Sequence, residues 1–286
     1  MKILSCGAGM QSTALALMSC ANKLILDGKN GNFKFKYENS VPIYDAIMFC
    51  DLGQEPIWVQ NQVTFIKAAC EWAGIPFYII KTDLYQHYLD NFGKKRVVSI
   101  PFWSIDENGK KGKMMRNCTL DYKINVMIKF ARTNLLGYKK GQRTKKEDIK
   151  AHEMHLGFSK EEEHRCKDNP HKMFVNKFPL CEMGLTRADN YAYIKDVWGL
   201  ETKASACTFC PFHKNYFFKY LKLHHPHEYK TLLEFDKLLE DGQPTTKIRS
   251  KLYISRSRKR IKDLLLEECE DKECFKYKDE MIWNGF

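Results

Sequence analysis

Short apolar segments alternate with longer segments of helical periodicity over the first 80 residues. Residues 2–4, 44–50 and 76–80 are apolar runs of strand length, whereas 12–21 and 59–72 carry apolar side chains at helical spacing. Strands and helices in this order are typical of a parallel sheet with helices on its faces. The pattern therefore predicts an α/β fold built on a doubly wound parallel sheet of five or a similar number of strands.

The second half of the chain is more polar and more uneven. Residues 139–146 form a basic loop, 211–240 are rich in aromatic side chains at helical spacing, and 245–262 hold eight basic and no acidic side chains. We expect the C-terminal part to be helical. A boundary is predicted that separates residues 1–205 from residues 206–286.

Composition narrows the class of protein. The chain has 286 residues, of which 44% are hydrophobic and 29% charged, an ordinary balance for a globular protein. No apolar run is long enough to span a membrane, and the N-terminus lacks the pattern of a signal peptide. We therefore expect a cytoplasmic protein whose eleven cysteines are reduced thiols or metal ligands.

The charge of +12 is spread unevenly along the chain. Residues 261–286 hold eight acidic and four basic side chains, so the preceding residues carry +16. A surplus of this size favours a polyanionic partner such as a nucleic acid. A solvated basic surface would give the same count.

Small residues and hydroxyls separate the first predicted strand from the first predicted helix, in the sequence SCGAGMQST at 5–13. Backbone N–H groups at such a turn, together with the helix dipole, bind anions well. The sequence fits neither the P-loop, which requires a lysine before its hydroxyl residue, nor the pattern GxGxxG. A phosphate site and a plain tight turn before a helix both remain open from these residues alone.

The same loop resembles the signature of the PP-loop family, which includes ATP pyrophosphatases and phosphoadenosine phosphosulfate reductases. Ala8 stands where a second glycine is common in that family, and Gln11 where an aspartate is usual. Five further blocks in chain order are similar to family segments: DLGQE at 51–55, RNCTLDYK at 116–123, HLGFS at 155–159 with Glu161, Glu162 and Arg165, FPL at 178–180 with Thr186 and Arg187, and ASACTFCPF at 204–212. The resemblance implies an adenine nucleotide α-hydrolase-like fold, with the nucleotide-binding domain over 1–205.

The resemblance also implies which residues act. ATP and Mg²⁺ binding is implied for Ser5, Gly7, Gly9, Gln11, Ser12, Thr13, Asp51, Glu55, Arg165 and Arg187. A catalytic role is implied for Cys6, Asp51, Arg116 and Lys123. Arginine suits this work because its planar guanidinium group binds phosphate oxygens in pairs.

Three cysteines are candidates for a metal centre. Cys207 and Cys210 form a CxxC pair, which by itself permits a redox dithiol, half of a zinc site or part of an iron–sulfur site. Cys118 is the third, between Arg116 and Lys123, whose positive charges favour a thiolate. Three cysteines suit a [4Fe–4S] cluster with one iron open to another ligand, and Cys181 is the candidate for a fourth ligand. Structural zinc and free thiols remain alternatives.

The resemblance extends to the iron–sulfur sulfur-transfer ATPases of DNA phosphorothioation and tRNA thiolation. It implies an ATP-dependent sulfurtransferase that adenylates a nucleic acid, DNA or tRNA, and inserts sulfur; a sulfur-donor protein and a homodimeric assembly are further candidate partners. One alternative is a phosphosulfate reductase, for which Cys274 would be the nucleophile. Others are a zinc-stabilised nucleic-acid-binding protein without catalysis and an ATP pyrophosphatase without a redox cluster.

Overall fold

The computed structural model of the protein describes residues 1–31, 34–92, 94, 99–240 and 250–268. Cys269 and Cys274 lie outside the described residues, and with them the nucleophile of the reductase alternative. Within those ranges, no helix has both the length and the apolar character needed to cross a membrane.

Strands and helices alternate through the first half of the described chain. The strands are β1 (Lys2–Cys6), β2 (Ala46–Asp51), β3 (Phe77–Lys81), β4 (Trp103–Ile105), β5 (Lys111–Lys113), β6 (His152–Leu156), β7 (Phe174–Lys177) and β8 (Lys251–Tyr253). The α-helices are α1 (Met10–Leu26), α2 (Ile57–Ala73), α3 (Leu84–Asn91), α4 (Asn125–Phe130), α5 (Pro179–Glu182), α6 (Arg187–Trp198), α7 (Asn215–His224) and α8 (Pro226–Leu238). Two π-helical segments, Leu120–Ile124 and Ala131–Leu135, flank α4.

The chain divides into two compact units, each assembled from separate segments. The first unit comprises Met1–Asp51, Ile57–Ile80 and Val126–Ser205. The second comprises Leu52–Pro56, Lys81–Asn125 and Ala206–Phe286. The domain boundary that the sequence places between residues 205 and 206 stays a prediction.

A five-stranded sheet in the order β3-β2-β1-β6-β7 forms the centre of the first unit. β1 lies in the middle and pairs in parallel with β2 and β6, and β6 pairs in parallel with β7. The carboxyl ends of these parallel strands meet at one edge, which is where ligands bind in sheets of this kind. The α/β class predicted from the sequence is confirmed.

Helices cover both faces of this sheet. Successive side chains of a strand point to opposite faces, so Ser5 and Cys6 at the end of β1 face opposite ways. The Ser5 hydroxyl donates to Met127 Sδ on α4, at 3.1 Å, whereas Cys6 lies within electrostatic range of Cys70 on α2. The sheet is therefore doubly wound, as the sequence predicts.

Helix α1 is enclosed by the rest of the first unit. Fourteen of its seventeen residues are buried, including the polar residues of its first turn. The helix packs against β1, α2 and α6. It begins two residues earlier than the periodicity predicts, because Met10 and Gln11 already belong to the helix. The predicted phosphate loop is therefore reduced to a short turn that leads directly into a buried helix.

The second unit contains helices and a small antiparallel sheet in the order β5-β4-β8. Helices α7 and α8 account for the helical spacing over 211–240, and Phe217 and Phe218 of α7 are buried. The small sheet was not predicted. Its strands have three residues each, and β5 reads Lys-Gly-Lys, so no apolar alternation marks them in the sequence.

Candidate functional site

The loop at the end of β1 offers unpaired backbone donors at the start of α1. Gly9 is the N-cap and makes no side-chain cap, and the first intrahelical bond runs from Thr13 N–H to the Gly9 carbonyl, at 2.9 Å. The N–H groups at positions 10–12 therefore have no intrahelical partner. The Ser12 hydroxyl braces the loop, since it accepts from Gly7 N–H at 3.1 Å and donates to Gly9 O at 3.2 Å.

A strained residue shapes this loop. Ala8 has φ 52°, in the left-handed region that favours glycine, and its side chain is fully buried. Gln62 of α2, itself only 2% exposed, donates to the Ala8 carbonyl at 2.5 Å and accepts from Lys203 N–H. Its side chain thus links the loop to the segment before Ala206. Sequence analysis missed Gln62, because a glutamine within a helical pattern carries no signal of its own.

Glu162 joins three of the residues that the sequence assigned to ATP. Its buried carboxylate accepts from Gln11 Nε2 at 2.7 Å, from Arg187 Nη2 at 3.2 Å and from Arg165 Nη1. Two guanidinium groups therefore share the Glu162 carboxylate, and the Glu161 carboxylate lies within electrostatic range of Arg187 as well. Glu162 was quoted in the sequence only as part of a block, and its role was not predicted.

The turn after β6 packs closely against the first turn of α1. A Cβ atom at Gly157 would lie 2.6 Å from Ser12 N and 2.9 Å from Ser12 Cα. Both are backbone atoms, which cannot move aside as a flexible side chain can. Glycine is therefore required at 157, and this close approach brings the 159–165 segment to Gln11.

Cys6 and Thr13 are buried at this loop, and Asp51 lies at the end of β2. Burial raises the pKa of the Cys6 thiol to about 11, so Cys6 is protonated at neutral pH. A protonated thiol is a poor nucleophile, and the local geometry gives the predicted catalytic role no support. The Thr13 hydroxyl is fully buried and has no hydrogen-bond partner among the described residues. Asp51 ends β2 at the carboxyl edge of the sheet.

The three candidate cysteine ligands lie within electrostatic range of one another in the second unit. Burial raises the pKa of Cys207 well above its usual value, and the negative charges of Glu55, Cys210 and Cys118 raise it further. Burial raises the pKa of Cys210 to about 11, again with a contribution from Cys118. Cys118 and Cys207, which lie 89 positions apart in the chain, therefore interact electrostatically in the fold, and the metal centre stays a prediction.

Positive charge and hydrogen bonding counteract part of the increase in the cysteine pKa values that burial causes. Lys123 lowers the pKa of both Cys207 and Cys210, and Arg116 lowers that of Cys210. The backbone N–H of Phe212 donates to Cys210, which also favours the thiolate. Arg116 and Lys123 thus stabilise negative charge on the two thiols of the CxxC turn.

The CxxC turn is held by hydrogen bonds to its backbone. Cys210 N–H donates to the Cys207 carbonyl at 3.0 Å, and His213 Nε2 lies 2.8 Å from the same oxygen. Thr208 N–H donates to the Gln54 carbonyl at 3.0 Å. This last bond joins the turn to the segment 52–56, so Glu55, which the resemblance assigned to ATP, belongs to the unit of the cysteines and acts on Cys207.

Single-metal sites are not formed by the described side chains. No group of three or more His, Cys, Asp or Glu residues in the described ranges is arranged to hold a metal ion. A [4Fe–4S] cluster takes one thiolate for each iron, so its ligands stand farther apart than those of one ion. The donor set of three mutually interacting cysteines with adjacent cations fits a cluster in its chemistry.

Cys181, the candidate for a fourth ligand, belongs to the first unit. Its thiol donates to the Phe158 carbonyl at 3.0 Å, and its Sγ atom lies 3.7 Å from Cys166 Sγ. Burial raises the pKa of Cys181 to about 12. Cys166 and Cys181 therefore form a local thiol pair, a contact that the charged sequence around Cys166 did not suggest.

Comparison with known proteins yields distant structural likenesses only. No protein-family model matches the chain, and no curated protein matches it. Among solved structures, it is similar to the U34-tRNA thiolase NcsA from Methanococcus maripaludis with its [4Fe-4S] cluster. The identity is 14%, the match covers 89% of this chain and 76% of that one, and the TM-score is 0.33. The fold class rests on the strand order and pairing described above.

Proposed function

We propose that the protein is an ATP-dependent sulfurtransferase that adenylates a nucleic-acid substrate, DNA or tRNA, and inserts sulfur with the help of a cysteine-bound [4Fe–4S] cluster. The observation that carries the proposal is the convergence of Cys118 with Cys207 and Cys210 beside Arg116 and Lys123. The loop at the start of α1 supports the ATP-dependent half of the reaction.

In the ATP-dependent half, the first unit binds the triphosphate and orients its α-phosphorus. Backbone N–H groups at positions 10–12 donate to phosphate oxygens, with the helix dipole adding positive potential. Arg165 and Arg187, held in position by Glu162, supply the remaining charge. A substrate oxygen attacks the α-phosphorus, the bond to the β-phosphate oxygen breaks, and pyrophosphate leaves as its charge is stabilised. Bound Mg²⁺, for which Asp51 is the candidate ligand, adds charge neutralisation on the leaving group.

In the sulfur-transfer half, Cys118, Cys207 and Cys210 would hold the cluster. When bound, the cluster supplies the sulfur that replaces the adenylated oxygen, with AMP as the leaving group. Lys123 lowers the pKa of Cys207 and Cys210, and Arg116 and the Phe212 N–H bond lower that of Cys210, which offsets part of the increase that burial causes. Hydrogen bonds and charges around ligand sulfurs are the means by which a protein tunes such a centre.

The proposal is tested by anaerobic purification followed by iron and acid-labile sulfide analysis, together with ATP-dependent pyrophosphate release. We expect iron and sulfide in equal amounts in the wild type and their loss in Cys118→Ser and Cys207→Ser. Cys70→Ala, which removes a buried thiol of α2, is the matched control and keeps both.

Three outcomes would overturn the proposal. Zinc in place of iron, with nucleic-acid binding indifferent to ATP, would indicate the non-catalytic binding protein. Sulfite release from a phosphosulfate that is lost in Cys274→Ser would indicate the reductase. Iron retained by both serine variants would show that these cysteines are not the ligands.

A further inference from the structure

We propose that the small antiparallel sheet of the second unit carries a docking surface for the phosphate backbone of a nucleic acid. We call it the Trp103 surface and define it by Trp103, Phe212, Lys113, Arg116 and Arg256. The identification of the polymer as a nucleic acid rests on the proposed function. The test measures binding of the nucleic acid in the absence of ATP and iron.

Two aromatic rings form the base of the Trp103 surface. Trp103 of β4 and Phe212 meet edge to face, with ring centroids 6.5 Å apart and planes at 81°. Trp103 Nε1 donates to the Pro211 carbonyl at 2.8 Å, which fixes the indole against the residues that follow the CxxC turn. Both rings are half-buried, so their faces remain available to neighbouring groups.

Cations lie over these rings. Lys113 Nζ is 5.5 Å from the Trp103 centroid and 5.0 Å from that of Phe212. Arg116 Cζ is 5.7 Å from the Phe212 centroid, and Arg256 Cζ is 5.8 Å from that of Trp103. A cation within about 6 Å of an aromatic face is attracted by the ring. The rings therefore hold three exposed positive charges together despite their mutual repulsion.

The strand register explains why these groups share one face. Lys113 of β5 and Tyr253 of β8 lie directly opposite Trp103 in the antiparallel sheet. Opposite residues in such pairs project from the same face. The adjacent position on the other face contains Leu252, which is fully buried. The Trp103 face is thus turned away from the core.

The basic side chains of residues 255–260 make different contacts around this surface. Arg260 is buried and paired with Asp236, and Arg258 donates to the carbonyls of Ser104 and Gly112, where it braces the sheet. Arg256 is exposed and, like Lys113, forms no ion pair with an acidic side chain in the part of the chain that the structure describes. Arg258 Cζ also lies over Trp103, 5.3 Å from the ring centroid, but Arg256 is the exposed one of the two and contributes to the Trp103 surface.

Lys113 and Arg256 are exposed cations without an ion pair to a described acidic side chain, and such cations are the electrostatic footprint of nucleic-acid backbone binding. The cations lie over the ring faces, so contacts to phosphate rather than base stacking are expected to dominate. Arg116 belongs to the surface and also lies within electrostatic range of Cys210. A nucleic acid bound here would therefore pass close to the cysteines of the second unit.

The test compares salt-dependent binding of the full chain to an RNA oligonucleotide and to a DNA oligonucleotide of the same sequence, measured by fluorescence anisotropy. We expect Lys113→Gln with Arg256→Gln to weaken binding about tenfold per lost contact near 0.1 M salt. The slope of log K against log salt should become shallower by about 0.7 to 0.9 per contact. The charge-preserving pair Lys113→Arg with Arg256→Lys should restore the slope.

Lys230→Gln is the matched control, because Lys230 is an exposed cation of α8 in the same unit and is not a member of the Trp103 surface. An unchanged slope in the double variant, or an equal loss in Lys230→Gln, would refute the surface. Stronger binding of heparin than of either oligonucleotide would indicate a general polyanion site and would also refute it. Normal binding without ATP-dependent pyrophosphate release would leave the surface intact and contradict only the proposed function.

Discussion

Glu162→Gln removes the negative charge that joins Gln11, Arg165 and Arg187. The substitution keeps the size of the side chain and one carbonyl oxygen, and it replaces the other oxygen with an NH₂ group. That group would face donors only, since the Gln11 amide and both guanidinium groups donate to the carboxylate. The buried Gln11 amide would lose its acceptor, and Arg165 and Arg187 would each lose the negative charge of Glu162.

The magnitude follows from the exposure of each partner. A hydrogen bond to a charged group contributes about 1.5 to 3 kcal/mol, and three partners share this carboxylate. The Arg165 and Arg187 side chains are 31% and 22% exposed, so water replaces much of what they lose. The buried Gln11 contact, at 2.7 Å, is the one that water replaces least. We expect the free energy of unfolding to fall by about 2 kcal/mol.

Urea unfolding followed by circular dichroism measures this change. With a slope of about 2 kcal/mol per molar urea, the midpoint should fall by about 1 M. Glu163→Gln is the control, because Glu163 is an exposed neighbour that loses the same charge. A change below about 0.5 kcal/mol in Glu162→Gln, which is typical of surface substitutions, would refute the role given to Glu162.

Three further predictions concern packing, a buried ion pair and pH. Gly157→Ala should lower the free energy of unfolding by about 1 to 3 kcal/mol, because its Cβ would lie 2.6 Å from Ser12 N; an unchanged urea midpoint would contradict this. Asp236→Ala should cost about 3 to 5 kcal/mol because it leaves the buried Arg260 without a counter-charge, and Asp236→Asn should cost less; equal costs would contradict the pairing. Burial lowers the pKa of His155 below its ordinary value of 6.5, because the folded state favours the neutral imidazole. The free energy of unfolding is therefore undiminished above pH 6.5 and falls as the pH drops and the unfolded state takes up a proton at His155. His155→Gln should therefore lose less stability than the wild type between pH 7 and 5, and parallel pH profiles would show that His155 does not contribute.

Local pattern was sufficient for β1, β2 and β3 of the first sheet and for the choice of candidate cysteines, whereas β6 and β7 were not predicted as strands. Alternating apolar runs and helical spacing predicted the strands and helices up to residue 81, and the turn of small residues after β1 marked the junction of β1 and α1. The CxxC pair and Cys118 were recognised from residue type and spacing alone. Such features are short-range properties, which a sequence displays directly.

The assignment of individual side chains required the tertiary structure. Gln11, Arg165 and Arg187 were each predicted to bind phosphate, but only the fold shows that a single buried carboxylate, Glu162, holds all three. Glu55 was assigned to ATP, which stays a prediction, and the fold adds that its charge acts on Cys207.

The sequence by itself determined the α/β class, the loop after β1 and the candidate cysteines, because each depends on neighbours within a few residues. The tertiary structure decided which charges are neutralised and which face the solvent, as Arg260 and Arg256 illustrate within one basic run. It also determined the small sheet, in which β8 pairs with β4 although the two strands lie far apart in the chain. The physical reason is that burial and pairing are set by contacts between distant residues, such as Gln11 and Glu162, which leave no periodic signal in the sequence.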